Sequence, residues 1–242
     1  MNFKILIPSR MKSTRFPNKP LALINGKPML AHVVEQCAKS VKMSDIIVVT
    51  ESQEIVQFCE QNFISYFLTK EHETGSDRIA EANATLNLDY VINVQGDEPL
   101  FNYKDINLAI EKIESQRFDL LVGYTLIDDM YDWRDPNTIK VVFNSREKIL
   151  YMSRAAIPGS KSNAFKSAYR SVNLYGYSRE SLEYYSKTKR SILELVEDHE
   201  LLRFLDSKFE IQGILMSNHS VPVDTPEDLN LVESLIQSRL NP

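Results

Sequence analysis

Arg10, Arg15 and Lys19 are spaced through PSRMKSTRFPNKP (residues 8–20), with a fourth cation, Lys12, among them. Guanidinium and ammonium groups at this density can make charge-assisted, partly bidentate hydrogen bonds to phosphate oxygens. The loop has no glycine, which excludes the dinucleotide and P-loop fingerprints, where the backbone must approach the phosphates closely. A solvated, positively charged turn would have the same composition, so the loop alone leaves both readings open. In NVQGDEPL (93–100), Asp97 and Glu98 follow an apolar run and a glycine. A carboxylate there suits Mg²⁺, which takes oxygen ligands and bridges to substrate phosphates, although a Gly-Asp turn explains it too. In VPVDTPEDL (221–229), Thr225, Pro226 and Asp228 make a capping-box-like helix start. Asp224 stands before that cap, free to serve as a second metal carboxylate. HETGSDRIAEA (72–82) reads as a loop entering a helix, with Gly75 for close approach and Ser76 as the cap. His32, His199 and His219 have no partner at nucleophile-base or zinc-ligand spacing and read as structural.

These groups need a scaffold, and the apolar pattern supplies one. FKILIP (3–8), DIIVVT (45–50) and YVINVQG (90–96) are compact apolar runs suited to buried parallel strands. Between and after them, 28–40, 52–62 and 103–115 carry apolar residues at helical spacing. Alternating strand and helix predicts a three-layer α/β domain with a mostly parallel sheet. Open sheets of this kind bind ligands at the carboxyl ends of their strands, where the cationic loop and Asp97 fall. The second half is strand-rich: DLLVGYTLI, IKVVFN, KILYMSR and SVNLYGYS are closely spaced, so mixed pairing is expected there. ILELVEDHELLRFLD (192–206) reads as one amphipathic helix, 209–216 as a strand and 225–240 as a terminal helix. Residues 159–167 read as a flexible loop.

The chain has 242 residues, 43% apolar and 25% charged, with a net charge of −5. That suits one large α/β domain and argues against a general nucleic-acid-binding surface. It also makes the basic N-terminal cluster stand out. Cys37 and Cys59 lie in amphipathic segments without metal or disulfide spacing, so buried free thiols and a reducing cytoplasm are expected. No run is long and apolar enough to span a bilayer, and residues 1–8 lead straight into a strand without a signal-peptide pattern.

Taken in order, IPSRMKSTRFPNKPLALINGKPML, TGSDRIAEA, VINVQGDEPL, IKVV, YMSRAAIP, LYGY and VDTPEDL resemble the CMP-Kdo synthetases, the 3-deoxy-manno-octulosonate cytidylyltransferases. The resemblance covers essentially the whole chain. It implies a nucleotide-diphospho-sugar transferase-like, Rossmann-like fold in a single domain. The nucleotide half would span about 1–125, a sugar-binding and dimerisation lobe about 126–206, and a return to the main sheet 207–242. It also implies a cytoplasmic homodimer that joins CTP to a 3-deoxy-ulosonic acid, giving the CMP-sugar and pyrophosphate for a bacterial surface polysaccharide. By match to the family's motifs, Pro8, Ser9, Arg10, Arg15, Lys19, Gly75, Ser76, Arg78 and Gln95 would hold CTP. Gln95, Arg154, Ser171, Tyr175 and Glu197 would hold the sugar. Asp97 and Asp224 would hold Mg²⁺, and with Arg10 and Lys19 would form the catalytic set.

The match has gaps. Ser171 stands where the family has a histidine, Asn173 where it has glycine, and Leu201 where it has glutamine. Ser9 replaces an alanine and Glu51 an aspartate. The first three fall in the sugar-contacting part and suggest an analogue of Kdo as substrate. A synthetase for sialic-type nonulosonic acids and a non-catalytic CTP-binding protein are the alternatives.

Overall fold

The computed structural model describes residues 1–13, 15–162, 164–217 and 221–240. His219 and residue 163 of the 159–167 loop lie outside it. The chain begins with β1 (Phe3–Pro8), whose Ile5, Leu6 and Ile7 are fully buried. The cationic loop follows and ends in a short 3-10 turn, Lys19–Leu21, entered through Asn18 in the left-handed conformation. A small hairpin, β2 (Leu23–Ile24) and β3 (Lys27–Pro28), turns at Asn25-Gly26, both with positive φ. Then come α1 (Met29–Ala38), β4 (Ile46–Thr50), α2 (Gln53–Gln61), β5 (Ser65–Leu68), α3 (Gly75–Leu86), β6 (Tyr90–Val94) and α4 (Tyr103–Ser115). β4 and β6 are buried at every position, as their unbroken apolar runs predict.

The second half contains β7 (Leu120–Ile127), α5 (Met130–Arg134), β8 (Lys140–Phe143), β9 (Ile149–Ser153), β10 (Ala168–Ser178), α6 (Arg179–Lys187), α7 (Ile192–Glu197), β11 (Ile211–Leu215) and α8 (Pro226–Leu240). The main sheet runs β11-β7-β10-β6-β1-β4-β5, with β8 paired to β10 and β9 to β8. β5, β4, β1 and β6 are mutually parallel, as are β11 and β7. The long β10 runs antiparallel between β6 and β7, and β8 and β9 continue the antiparallel pairing. The mixed pairing expected for the second half is present.

One apolar layer unites Ile5, Ile7, Val48 and Ile92 with Leu30 and Val33 of α1, Ile55 of α2 and Ile106 of α4. The opposite face of the sheet packs Leu6, Val49 and Val91 against Ile79 of α3, Leu182 and Tyr185 of α6, and Leu201, Leu202 and Phe204. A third cluster places Val223 and Val232 of the C-terminal segment against Ile24, Met29 and Leu100. Cys37 and Cys59 are buried and unpaired. Among the described residues, no helix is long and apolar enough to cross a membrane.

The helix expected over 192–206 is broken. α7 stops at Glu197, Asp198 turns into the left-handed region at φ 45°, and a 3-10 helix, Glu200–Asp206, continues at a new angle. The break lets Glu194 and Arg203 face one another inside the protein. The guanidinium makes two bonds of 2.7 Å to the Glu194 carboxylate, and both side chains are buried.

Candidate active site

The carboxyl ends of β1, β4 and β6 open onto a cavity of about 660 Å³. Pro8, Ser9, Arg10, Arg15 and Lys19 line it from the first loop, Gly75 and Arg78 from the start of α3, and Gln95, Gly96 and Asp97 from the end of β6. Asp224 reaches it from the segment before α8. Gly96 is small for a reason: a Cβ there would stand 3.1 Å from the Pro8 carbonyl oxygen and 3.3 Å from Ser9 Oγ. The first loop and the end of β6 therefore approach one another backbone to backbone.

Asp97 and Asp224, 127 positions apart in sequence, are brought together by a backbone bond: the Val223 N–H donates to the Asp97 carbonyl at 2.9 Å. Asp224 is held in turn by the α8 start. The Asp228 carboxylate accepts from the N–H groups of Asp224 and Thr225 at 2.9 and 2.8 Å, while Thr225 Oγ1 accepts from Asp228 N–H. This is the capping box anticipated from the sequence. Lys19 Nζ donates to Asp97 at 2.8 Å and to Asp224 at 3.1 Å, and Arg15 pairs with Asp224 at 3.1 Å. Burial opposes the Lys19 charge, but the two carboxylates outweigh it and hold the ammonium above its ordinary value. Lys12 borders the same cavity but pairs with Glu71 at 2.8 Å, and both of these side chains are largely exposed.

On the other side of the cavity Arg78 is almost wholly buried and lies 2.7 Å from Glu51. Burial, with Arg10 nearby, pulls its guanidinium below the usual arginine range, against the support of Glu51. Glu51, His72 and Glu73 also line the cavity, and spacing alone did not single them out. Glu51 sits just past β4, so the strand-end rule that selected Asp97 identifies it too.

Ser76 is placed differently from expectation. Thr74 caps α3, accepting the Asp77 N–H at 3.1 Å, because the helix starts at Gly75 and its cap must precede that. Ser76 is fully buried outside the cavity lining, with its hydroxyl 2.6 Å from that of Tyr177. Its N–H donates to Glu200, whose carboxyl is pushed up by burial. Glu200 is a second residue that the sequence pattern did not single out. Its location depends on the break after α7, which no periodicity reveals.

Of the proposed sugar ligands, Gln95 alone lines the cavity. Its N–H donates to the Asn173 carbonyl within an irregular stretch of β10, where the register with β7 shifts between Ser171 and Tyr175. The buried Tyr175 hydroxyl donates to Asn173 Oδ1 at 3.3 Å. Arg154 and Glu197 lie in a separate cluster. Glu197 accepts from Ser153 Oγ, Arg154 N–H and Tyr151, bonds that keep its carboxyl low despite burial. The Arg154 guanidinium donates to the carbonyls of Glu197, Pro136 and Asp198. Leu201 is fully buried in the apolar layer, so the departure there changes packing and not a cavity contact.

His199 is buried, its Nε2 has no hydrogen-bond partner among the described residues, and burial lowers its pKa to about 4. A histidine that ionises more easily when unfolded favours the folded state fully above about pH 6.5. That advantage is lost as the pH falls toward 4. On going from pH 7 to 4.5, urea titrations should show wild type losing about 2 kcal/mol more than His199→Leu. Equal losses would mean the imidazole is accessible to protons in the fold.

Comparison with known proteins agrees with this geometry. A cytidylyltransferase family model matches residues 4–236. A 3-deoxy-manno-octulosonate cytidylyltransferase of Geotalea daltonii is 36% identical over 99% of this chain and all of its own length. An 8-amino-3,8-dideoxy-manno-octulosonate cytidylyltransferase of Shewanella pealeana is 37% identical over 97% of this chain and 98% of its own. The solved structure of a CMP:2-keto-3-deoxy-manno-octonic acid synthetase complexed with CTP superimposes with a TM-score of 0.93 at 30% identity, covering 99% of this chain and all of that one. With the motifs, the sheet order and the paired carboxylates in place, the chain belongs to the CMP-Kdo synthetase family of cytidylyltransferases.

Proposed function

We propose that the protein transfers the cytidylyl group of CTP to 3-deoxy-manno-octulosonate or a close analogue, releasing pyrophosphate, to activate a sugar for a bacterial surface polysaccharide. The observation that carries this reading is the convergence of Arg10, Arg15 and Lys19 on Asp97 and Asp224 in one cavity. A metal ion fits there. Asp97 Oδ1 is buried and accepts no hydrogen bond among the described residues, and Mg²⁺ binds through one or two carboxylates completed by substrate phosphates and water. Asp97 and Asp224 would hold it. When bound, it would neutralise charge on the reacting phosphates.

In the reaction the sugar's anomeric oxygen forms a bond to the α-phosphorus, the α–β bridging P–O bond breaks, and the hydroxyl proton passes to solvent. The protein's own part is positioning and charge stabilisation. Arg10, Arg15 and Lys19 hold the triphosphate and the departing pyrophosphate, and Gly75, Arg78 and Gln95 border the nucleoside. Gln95, tied to the irregular stretch of β10, links the nucleotide cavity to the strand carrying Ser171 and Tyr175, where we place the sugar. Free, buried Cys37 and Cys59 support a reducing cytoplasm. Exposed Ile192, Leu195 and Val196 on α7, with Leu150 on β9, support a homodimer through the strand-rich half.

Pyrophosphate release from CTP and Mg²⁺ with a panel of acids tests the reading. Kdo or 8-amino-3,8-dideoxy-manno-octulosonate should exceed any nonulosonic acid by about 100-fold or more in kcat/KM, because unmatched polar groups at a fitted site cost that much. Plain Kdo leading by a wide margin would remove the case for an analogue. Turnover of a nonulosonic acid alone would overturn the sugar class, and no pyrophosphate with any acid would overturn the reaction. Sedimentation of the same preparation should give twice the chain mass.

A further inference from the structure

Lys19 stands where a cation bridging the two carboxylates has to stand. Its ammonium is 2.8 Å from Asp97 Oδ2 and 3.1 Å from Asp224 Oδ1. The backbones that carry both carboxylates are fixed, Asp97 through its carbonyl to the Val223 N–H and Asp224 through its N–H to the Asp228 carboxylate. The Lys19 backbone is fixed as well, between left-handed Asn18 and Pro20. The ammonium, by contrast, ends a flexible four-carbon stem with rotatable donors. Arg10 borders the same cavity but pairs with neither carboxylate.

A divalent ion and this ammonium cannot share the space between the carboxylates. A triphosphate offers the ammonium a new partner within the same cavity. Resting on the reading of Asp97 and Asp224 as metal ligands, we propose that Lys19 is a built-in occupant of the metal position. In the nucleotide-free protein its ammonium keeps divalent cations out. A bound triphosphate draws the ammonium away from both carboxylates, and with it the Arg15 guanidinium that shares Asp224, so metal enters with or after nucleotide. Because coupling between two ligands is reciprocal, Lys19 strengthens the mutual dependence of nucleotide and metal. The nucleotide-free enzyme is also spared a cation held without its phosphates.

Mn²⁺ binding to the full chain, read from the electron paramagnetic resonance signal of free aqueous Mn²⁺, tests this without turnover. In the absence of nucleotide, Lys19→Met and Lys19→Gln should each bind Mn²⁺ about tenfold or more tighter than wild type, since the competent fraction of wild type is small. Arg10→Met, which removes a charge but no carboxylate partner, should stay within about threefold of wild type on the same argument. Adding Asp97→Asn to Lys19→Met should abolish the gain, with thermal unfolding confirming that each variant is folded.

If both Lys19 variants bind no tighter than wild type, or Arg10→Met gains equally, the occupant role is wrong. The metal ligands would still stand if wild type takes up Mn²⁺ with CTP and Asp97→Asn does not. A gain that survives Asp97→Asn, or no Mn²⁺ uptake by any form even with CTP, would overturn the ligand assignment as well.

Discussion

Replacing Asp97 with asparagine is expected to lower kcat by roughly three orders of magnitude, because several kcal/mol of transition-state charge stabilisation depend on that carboxylate. The substitution keeps the shape of the side chain and changes only its charge. The residue is bordered by solvent and its main bond is to Lys19, so the melting temperature should move little. The backbone bond from Val223 to the Asp97 carbonyl is unaffected, which keeps Asp224 in place. Stopped assays of pyrophosphate release with saturating CTP and sugar measure the effect. Turnover within tenfold of wild type would remove Asp97 from the reaction.

The largest effect on stability is expected at Glu194. Glu194 and Arg203 are buried and doubly bonded, Arg190 reaches the same carboxylate at 3.0 Å, and the Arg203 guanidinium lies 3.7 Å over the Tyr185 ring. Glu194→Leu leaves the buried Arg203 with only the longer, partly exposed pairing to Asp77 at 3.3 Å among the described residues, which should cost about 3 kcal/mol. The double variant Glu194→Leu, Arg203→Met removes both charges and should recover much of that loss, because a buried pair contributes little beyond an apolar pair of similar size. Urea unfolding of the two variants distinguishes this from simple loss of packing. A double variant as unstable as the single would show that the bonds of Arg203 to Asp77 and to the Tyr185 and Thr188 carbonyls dominate.

The part of the cavity built by the first half of the chain was legible because its signals are local. β1, β4 and β6 are covered on both faces and so read as unbroken apolar runs, and strand ends predict where ligands bind. The Asp224 helix start was equally plain, since Thr225 and Asp228 satisfy one another within four residues. The second half was harder. Arg154 and Glu197 satisfy one another across 43 positions, and that pairing leaves no trace in periodicity. The break at Asp198 hid inside a convincing amphipathic pattern, because the apolar residues after it are buried as a helix would bury them. The edge strand β5, largely exposed, and the hairpin at 23–28 carry too little apolar pattern to be seen.

The Val223 bond to Asp97 has a consequence for synthesis. A growing chain can assemble β1, β4 and β6 early, since each pairs with a near neighbour in the first half. Asp224 joins them only when Val223 and Val232 settle on Ile24 and Met29, contacts among the most distant in the sequence and so among the slowest to close. The nascent protein would thus carry the cationic loop and Asp97 before Asp224. Competence would wait for the segment around Val223 and Asp224, and losing that segment would leave the main sheet intact while silencing the enzyme.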